Sequence, residues 1–352
     1  MQSSTSEARA YEGKEESGER VARLKSRVMS AQPGICPERA VIWTEYFRSR
    51  KNRTQSPHLY MAGALSRVLE RKTVAIYPDE LIVGNYTSKR VGGSIFPELH
   101  GLPVLMDLFK FSTRETNRLE ISAGERRALL KITPFWMFRF LGLRAYRSPL
   151  RTLRFLLDQL KAHFYLINES GGISHIAPDY EALIREGAMG FAKRADGLQS
   201  ACAQESEKWC FYEGVKTIAE GLARFGERYA ECAARMAREE SDPARKSELM
   251  DIARTCRRVP RYGARSFREA VQSLFFAQVA LNLESLDNSV CPGRVDQYLY
   301  PYYEADLKKG AITREGAKEL LSCLSIKMAE IIPVFSRHLT NFHGGMFNGQ
   351  VV

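Results

Sequence analysis

ESLDNSVCPGRVDQYLYPYY, residues 284–303, is the stretch on which the reading of this 352-residue chain turns. Acid, amide and hydroxyl side chains run from Glu284 through Asp287, Asn288 and Ser289 into a Cys-Pro-Gly turn at 291–293. Arg294, Asp296 and four tyrosines, Tyr298, Tyr300, Tyr302 and Tyr303, follow. A surface loop needs neither so many hydrogen-bonding groups nor so many rings, because aromatic side chains are large apolar bodies that gain by burial. The run reads as the wall of a buried polar pocket. Arg294 and Asp296, two residues apart as on one face of a strand, read as a structural ion pair rather than as catalytic groups.

Two other segments share this texture: YPDELIVGN at 77–85 and GISHIAPDY at 172–180. His175 stands between a Gly-Gly turn and Pro178, away from any apolar helical face. Its imidazole is therefore free to point into a cavity, and it titrates near neutrality, as proton transfer from a substrate hydroxyl requires. Asp179, directly before a helical stretch at 180–187, is placed as an N-cap.

Taken in order along the chain, the three segments resemble the glycyl radical enzymes of the pyruvate formate-lyase superfamily, most nearly their diol dehydratase-like branch. The resemblance implies an α/β fold: a helical layer around about half of a ten-stranded barrel. It also implies a parent activity, a radical lyase that breaks a C–O, C–C or similar bond of a small polar substrate after hydrogen abstraction. His175 matches a histidine that lies near the substrate, and Ser289 matches a serine that hydrogen-bonds it. Asp287 and Asn288 take places where that branch usually carries glycine and histidine. They can accept and donate hydrogen bonds to hydroxyl, ammonium or amide groups, but cannot titrate near neutral pH. At Asn288 a plain turn role is the competing reading.

The family's mechanism also needs a radical glycine near the carboxyl terminus and a thiyl cysteine in a Gly-Cys-x-Glu setting. Arg90-Val91-Gly92-Gly93 and Cys36-Pro37-Glu38 echo these motifs in the wrong context and are set aside as decoys. Cys291, inside the pocket segment, is expected to line the site. The chain is thus expected to be the amino-terminal fragment or half of such a lyase, a partial domain over 19–352 after a disordered tail at 1–18, ending inside a barrel strand at Val351-Val352. In that reading no metal or cofactor is held by this chain. The radical, in the missing region, is installed by an S-adenosylmethionine-dependent iron–sulfur activating enzyme. The expected partners are the substrate, that enzyme, the missing carboxyl-terminal half and a second copy in a homodimer. The alternatives are a non-catalytic interaction module or degenerate paralogue, and a membrane-surface protein.

That last alternative rests on charge. The net charge is +11, and residues 126–161 hold nine Lys or Arg against one acid, Asp158, interleaved with Phe135, Trp136, Phe138 and Phe140. An amphipathic helix on an anionic surface would look so, as would a helix whose arginine stems lie over the core. No nucleic-acid motif accompanies it. A 44% hydrophobic and 26% charged composition suits a globular chain. With no apolar stretch long enough to span a bilayer and no secretion signal, the expected location is cytoplasmic. Seven scattered cysteines without C-x-x-C spacing are expected to be reduced thiols.

Periodicity supplies the elements. Residues 19–71 read as helices broken between Met29 and Glu38 by Pro33, Gly34 and Pro37. Short strands are predicted near Leu81-Ile82-Val83, with Gly92-Gly93 as turn punctuation. Phe211, Val215, Ile218, Leu222, Phe225, Tyr229, Cys232 and Met236 form one seam of a helix over about 205–240. Ser266-Phe267-Arg268-Glu269 opens a nearly all-round apolar core helix with a capping-box pattern. Thr313 opens the next, with its body at 317–332.

Overall fold

The computed structural model describes residues 18–49, 56–99, 107–137, 176–285 and 290–335, with 139, 148, 150, 151, 154 and 337. The longer helices among them are α1 (18–30), α2 (Glu38–Arg48), α3 (Pro57–Arg71), α4 (Ala123–Trp136), α5 (Tyr180–Gln199), α6 (Glu207–Glu239), α7 (Pro243–Arg258), α8 (Phe267–Glu284), α9 (Val295–Lys308) and α10 (Arg314–Met328). Two strands, β1 (Gly34–Cys36) and β2 (Gly92–Ser94), pair in parallel with Ile35 opposite Gly93. Single parallel bridges extend the pair on both sides, Glu120 beside Gly34 and Ile331 beside Gly92. The chain is thus mostly helical. Among the described residues the sheet has two strands, and the expected half-barrel goes no further than this.

The helices follow local chemistry closely. Ser206, Ser266 and Thr313 each accept a hydrogen bond from the amide three residues on, at the starts of α6, α8 and α10. On α6, Leu222, Phe225, Tyr229 and Cys232 of the seam are buried, while Phe211 at its start is 49% exposed. The seam packs within the chain, and Arg228 fastens it by donating to the carbonyls of Leu69 and Lys72 at the end of α3, at 2.7 and 2.6 Å. α8 is buried on every side, and burial extends to its polar residues Gln272, Ser273, Gln278 and Asn282.

The structure corrects several readings. The Pro33–Pro37 break is a strand, and so is Gly92-Gly93, read from sequence as a turn. A Cβ on Gly93 would lie 2.2 Å from Val334, so glycine here permits close approach of chains rather than a bend. Leu81-Ile82-Val83 is not a strand. The Gln272 side chain takes both backbone groups of Val83, at 2.9 and 2.7 Å, in place of a neighbouring strand. α10 ends at Met328 rather than 332, because Ile332 turns its N–H to the Gly92 carbonyl at 3.1 Å. Residues 295–308 form a helix, not a strand or loop wall. The Arg294–Asp296 ion pair, 2.7 Å, lies exposed at its start. Residues 1–17, 351 and 352 and most of the basic segment lie outside the described residues.

Candidate active-site frame

His175, Asp287, Asn288 and Ser289 lie outside the described residues, so their placement is not read from the structure. The structure does describe the frame in which they are embedded in sequence. Ile176 and Val290, the residues following His175 and Ser289, are partners in a parallel bridge, and the Cys291 N–H donates to the Ile176 carbonyl at 2.8 Å. Two segments 114 positions apart in numbering thereby meet.

Each segment is tied back to α8. Asp179 caps α5 by accepting from the Ala182 N–H at 2.9 Å, as read from sequence, which fixes Tyr180 at the start of the helix. The Tyr180 hydroxyl bonds the Gln278 side-chain oxygen, and Gln278 Nε2 donates to the Val290 carbonyl at 2.9 Å. One fully buried amide on α8 therefore holds both segments. An amide suits this because it offers a donor and an acceptor on one rigid plane. Asp179→Ala should cost about 1 kcal/mol by loss of the cap; the midpoint of urea unfolding would show it.

α5 runs on past 187 through a kink. Gly187 has φ 71, and a Cβ there would lie 2.4 Å from the Tyr262 backbone. The kink frees the amides of Ala188 and Met189 to donate to Pro260 and Arg261 carbonyls, at 2.8 and 3.0 Å.

Aromatic rings close the frame on the other side. Tyr298 on α9 stacks on Tyr180, with centroids 6.5 Å apart at 18°, and donates its hydroxyl to the Pro292 carbonyl at 2.8 Å. Burial pushes both phenols well above their ordinary range, so both stay neutral donors. Cys291 is half-buried beside them, its sulfur accepting from the Gly293 N–H at 3.4 Å.

Arg39, 1% exposed, fixes the approach to residues 286–289 from α8. Its guanidinium lies between the Trp43 and Phe96 rings, 4.1 and 3.7 Å from their centroids. It donates to the last carbonyls of α8, Leu283 at 2.7 Å and Glu284 at 3.0 Å, and pairs with Glu98 at 2.5 Å. A cation at a helix C-terminus also meets the negative end of the helix dipole.

Sequence reading missed Gln278 and Arg39. The signal for Gln278 was available: a polar residue on a helix with no solvent face must find a partner. Arg39 gave no such sign, its partners lying 244 and 245 positions away.

The sequence decoys are placed by their surroundings. Cys36 sits in β1 at 1% exposure against Ser88, and burial pushes its thiol up, which makes it a poor thiolate. Gly92 and Gly93 form β2. All seven cysteines are free of disulfides. Among the described residues no three His, Cys, Asp or Glu side chains cluster as a metal site, and no helix is long and apolar enough to cross a membrane.

Comparison with known proteins gives the family. The model of the pyruvate formate lyase-like family matches residues 12–351. Isethionate sulfite-lyase of Oleidesulfovibrio alaskensis is 31% identical over 354 residues, covering 96% of this chain and 42% of that protein. Among solved structures, the chain superposes on the Roseburia inulinivorans protein of 1,2-propanediol dehydration with a TM-score of 0.85 at 30% identity, covering 94% of this chain and 42% of the other. A glycyl radical enzyme from Archaeoglobus fulgidus gives a TM-score of 0.83 at 34% identity, covering 90% and 41%. The fold is that of the amino-terminal part of glycyl radical enzymes. The chain belongs to the pyruvate formate lyase-like family, and its solved relatives include proteins of 1,2-propanediol and glycerol dehydration. It spans about 42% of the length of the relatives it matches.

Proposed function

We propose that the chain forms the amino-terminal half of a glycyl radical lyase acting on a small polar substrate, with His175, Ser289, Asn288 and Asp287 on one side of the substrate pocket. The observation that carries this reading is the Ile176–Val290 bridge, which joins the residues following His175 and Ser289. Gln278 and Tyr180 behind the bridge support it, since a positioned acid–base group needs a rigid mount.

In this reading His175 accepts the substrate hydroxyl proton, and Ser289 and the Asp287–Asn288 pair hydrogen-bond the substrate's polar groups. Residues 19–352 act as one partial domain of the helix-wrapped ten-stranded barrel. The remaining strands, the thiyl cysteine and the radical glycine belong to sequence outside this chain. When present, the radical supplies hydrogen abstraction from substrate, and an S-adenosylmethionine-dependent iron–sulfur activating enzyme in the same cytoplasm installs it. A homodimer is part of the proposal.

The test is anaerobic activation followed by electron paramagnetic resonance, on this chain alone and on the chain completed to its relatives' length. A glycyl-type doublet is expected only in the completed protein; a doublet on the 352-residue chain alone would refute the assignment. No doublet in either would favour the interaction module. In the completed, activated protein His175→Ala should slow turnover about a hundredfold and shift stability by less than about 1 kcal/mol. Near-normal turnover with a sharply lowered melting temperature would make His175 structural.

A further inference from the structure

Away from the active-site frame, a polar cavity of about 310 Å³ opens where α7, α8, the end of α9 and the start of α10 meet. Its ionised wall groups are Asp251 and Arg254 from α7, Arg268 and Glu269 from α8, Asp306 from α9 and Glu319 from α10.

Each carboxylate on this wall is engaged. Asp251 pairs with Arg254. Glu269 accepts from the Arg265 N–H at 2.6 Å and pairs with Arg258 at 3.4 Å. Asp306 accepts from the Phe267 N–H at 2.7 Å, and Glu319 pairs with Arg20 at 3.0 Å. Arg268 differs. It makes no hydrogen bond or ion pair among the described residues, and its Nη1 is buried without a partner. Burial pulls the guanidinium below its ordinary value, yet arginine stays protonated in proteins. The nearby carboxylates of Asp251, Glu248 and Glu319 act on the half-buried guanidinium only through space, so its buried Nη1 N–H still lacks an acceptor, which an oxyanion would supply. The positive ends of α8 and α10 face the same space, through Ser266 and Gly316 on its wall, and favour an anion there.

The four wall carboxylates oppose a multiply charged anion, and they offer acceptors to any donor at the ligand's other end. We propose that this cavity is a binding site for a small zwitterion of the amino-acid class, its carboxylate on Arg268 and its ammonium facing Asp251 and Glu319. The volume suits a molecule of that size. The cavity shares no lining residue with the active-site frame, and the proposal does not depend on the function proposed above.

The test titrates the full chain with glycine and, separately, with acetate by calorimetry. Glycine is expected to bind saturably with a dissociation constant on the order of 1 mM, and acetate more weakly. Arg268→Met should weaken glycine binding at least tenfold. Absence of saturable glycine binding, equal binding by Arg268→Met, or acetate binding as tightly as glycine would overturn the proposal. Should the variant fail to fold, the wild-type chain carries the test through phenylglyoxal labelling read peptide by peptide. Saturating glycine should slow modification of Arg268 at least tenfold while leaving Arg257, exposed on α7, unaffected. Equal labelling of Arg268 with and without glycine would refute it.

Discussion

Lys327→Met is expected to lower the unfolding free energy by about 3–5 kcal/mol, the cost of removing one partner from a buried ionic cluster. Lys327 Nζ lies 2.8 Å from Glu80 and 2.6 Å from Glu330, and Arg90 reaches the same two carboxylates at 2.8 and 2.9 Å. No side chain of the four is more than 14% exposed. The cluster joins the loop before β2 to the end of α10, and so holds β2 beside Ile331. Losing the ammonium leaves two buried carboxylates sharing one guanidinium. The urea midpoint measures the loss, and Lys327→Met with Glu330→Gln should recover most of it by removing one charge of each sign. A double variant no more stable than Lys327→Met alone would show that packing, not charge, sets the cost.

The cluster also carries a pH signature. Burial pulls the Lys327 ammonium down, but the Glu330 and Glu80 carboxylates more than offset this and raise it. Burial pushes the Glu330 carboxyl up to about 7, against the pull of Lys327 and Arg90. An unfolded glutamate titrates at about 4.3. The folded chain thus holds this proton more tightly than the unfolded one. The resulting stabilisation is complete below the unfolded value and is lost as pH rises through about 7. Wild-type stability relative to Glu330→Gln should fall across that window; a flat difference would contradict the assignment.

Arg39→Met is expected to cost about 3 kcal/mol or more, since Glu98 and two carbonyls at the end of α8 lose a buried charged donor together. Its effect should also reach the site. Ser285, whose N–H donates to Leu281 at 3.3 Å, follows the anchored carbonyls and precedes residues 286–289. Hydrogen exchange at Ser285 should therefore accelerate in the variant. Arg39→Lys should restore little, because an ammonium cannot fork to two carbonyls while lying flat between Trp43 and Phe96. Full recovery by lysine would mean that charge alone matters there.

What the sequence determined by itself is local or periodic. The caps at Asp179, Ser266 and Thr313 were legible because a short polar side chain satisfies an amide three residues on, whatever the rest of the chain does. The α6 seam was legible because one helical face repeats regularly. The family was legible from three short segments, and its model covers residues 12–351.

Tertiary structure decided what depends on distant partners. Gly92-Gly93 reads as a turn until Val334 occupies the space a side chain would need. Leu81-Ile82-Val83 reads as a strand until Gln272, 189 positions away, takes its hydrogen bonds. The frame of the proposed site is partly of this kind: the all-round apolar helix marks Gln278 as buried but not which groups it meets, and Arg39 looks like a surface cation in sequence. Only packing selects their partners: the Tyr180 hydroxyl and the Val290 carbonyl for Gln278, and the last carbonyls of α8 for Arg39.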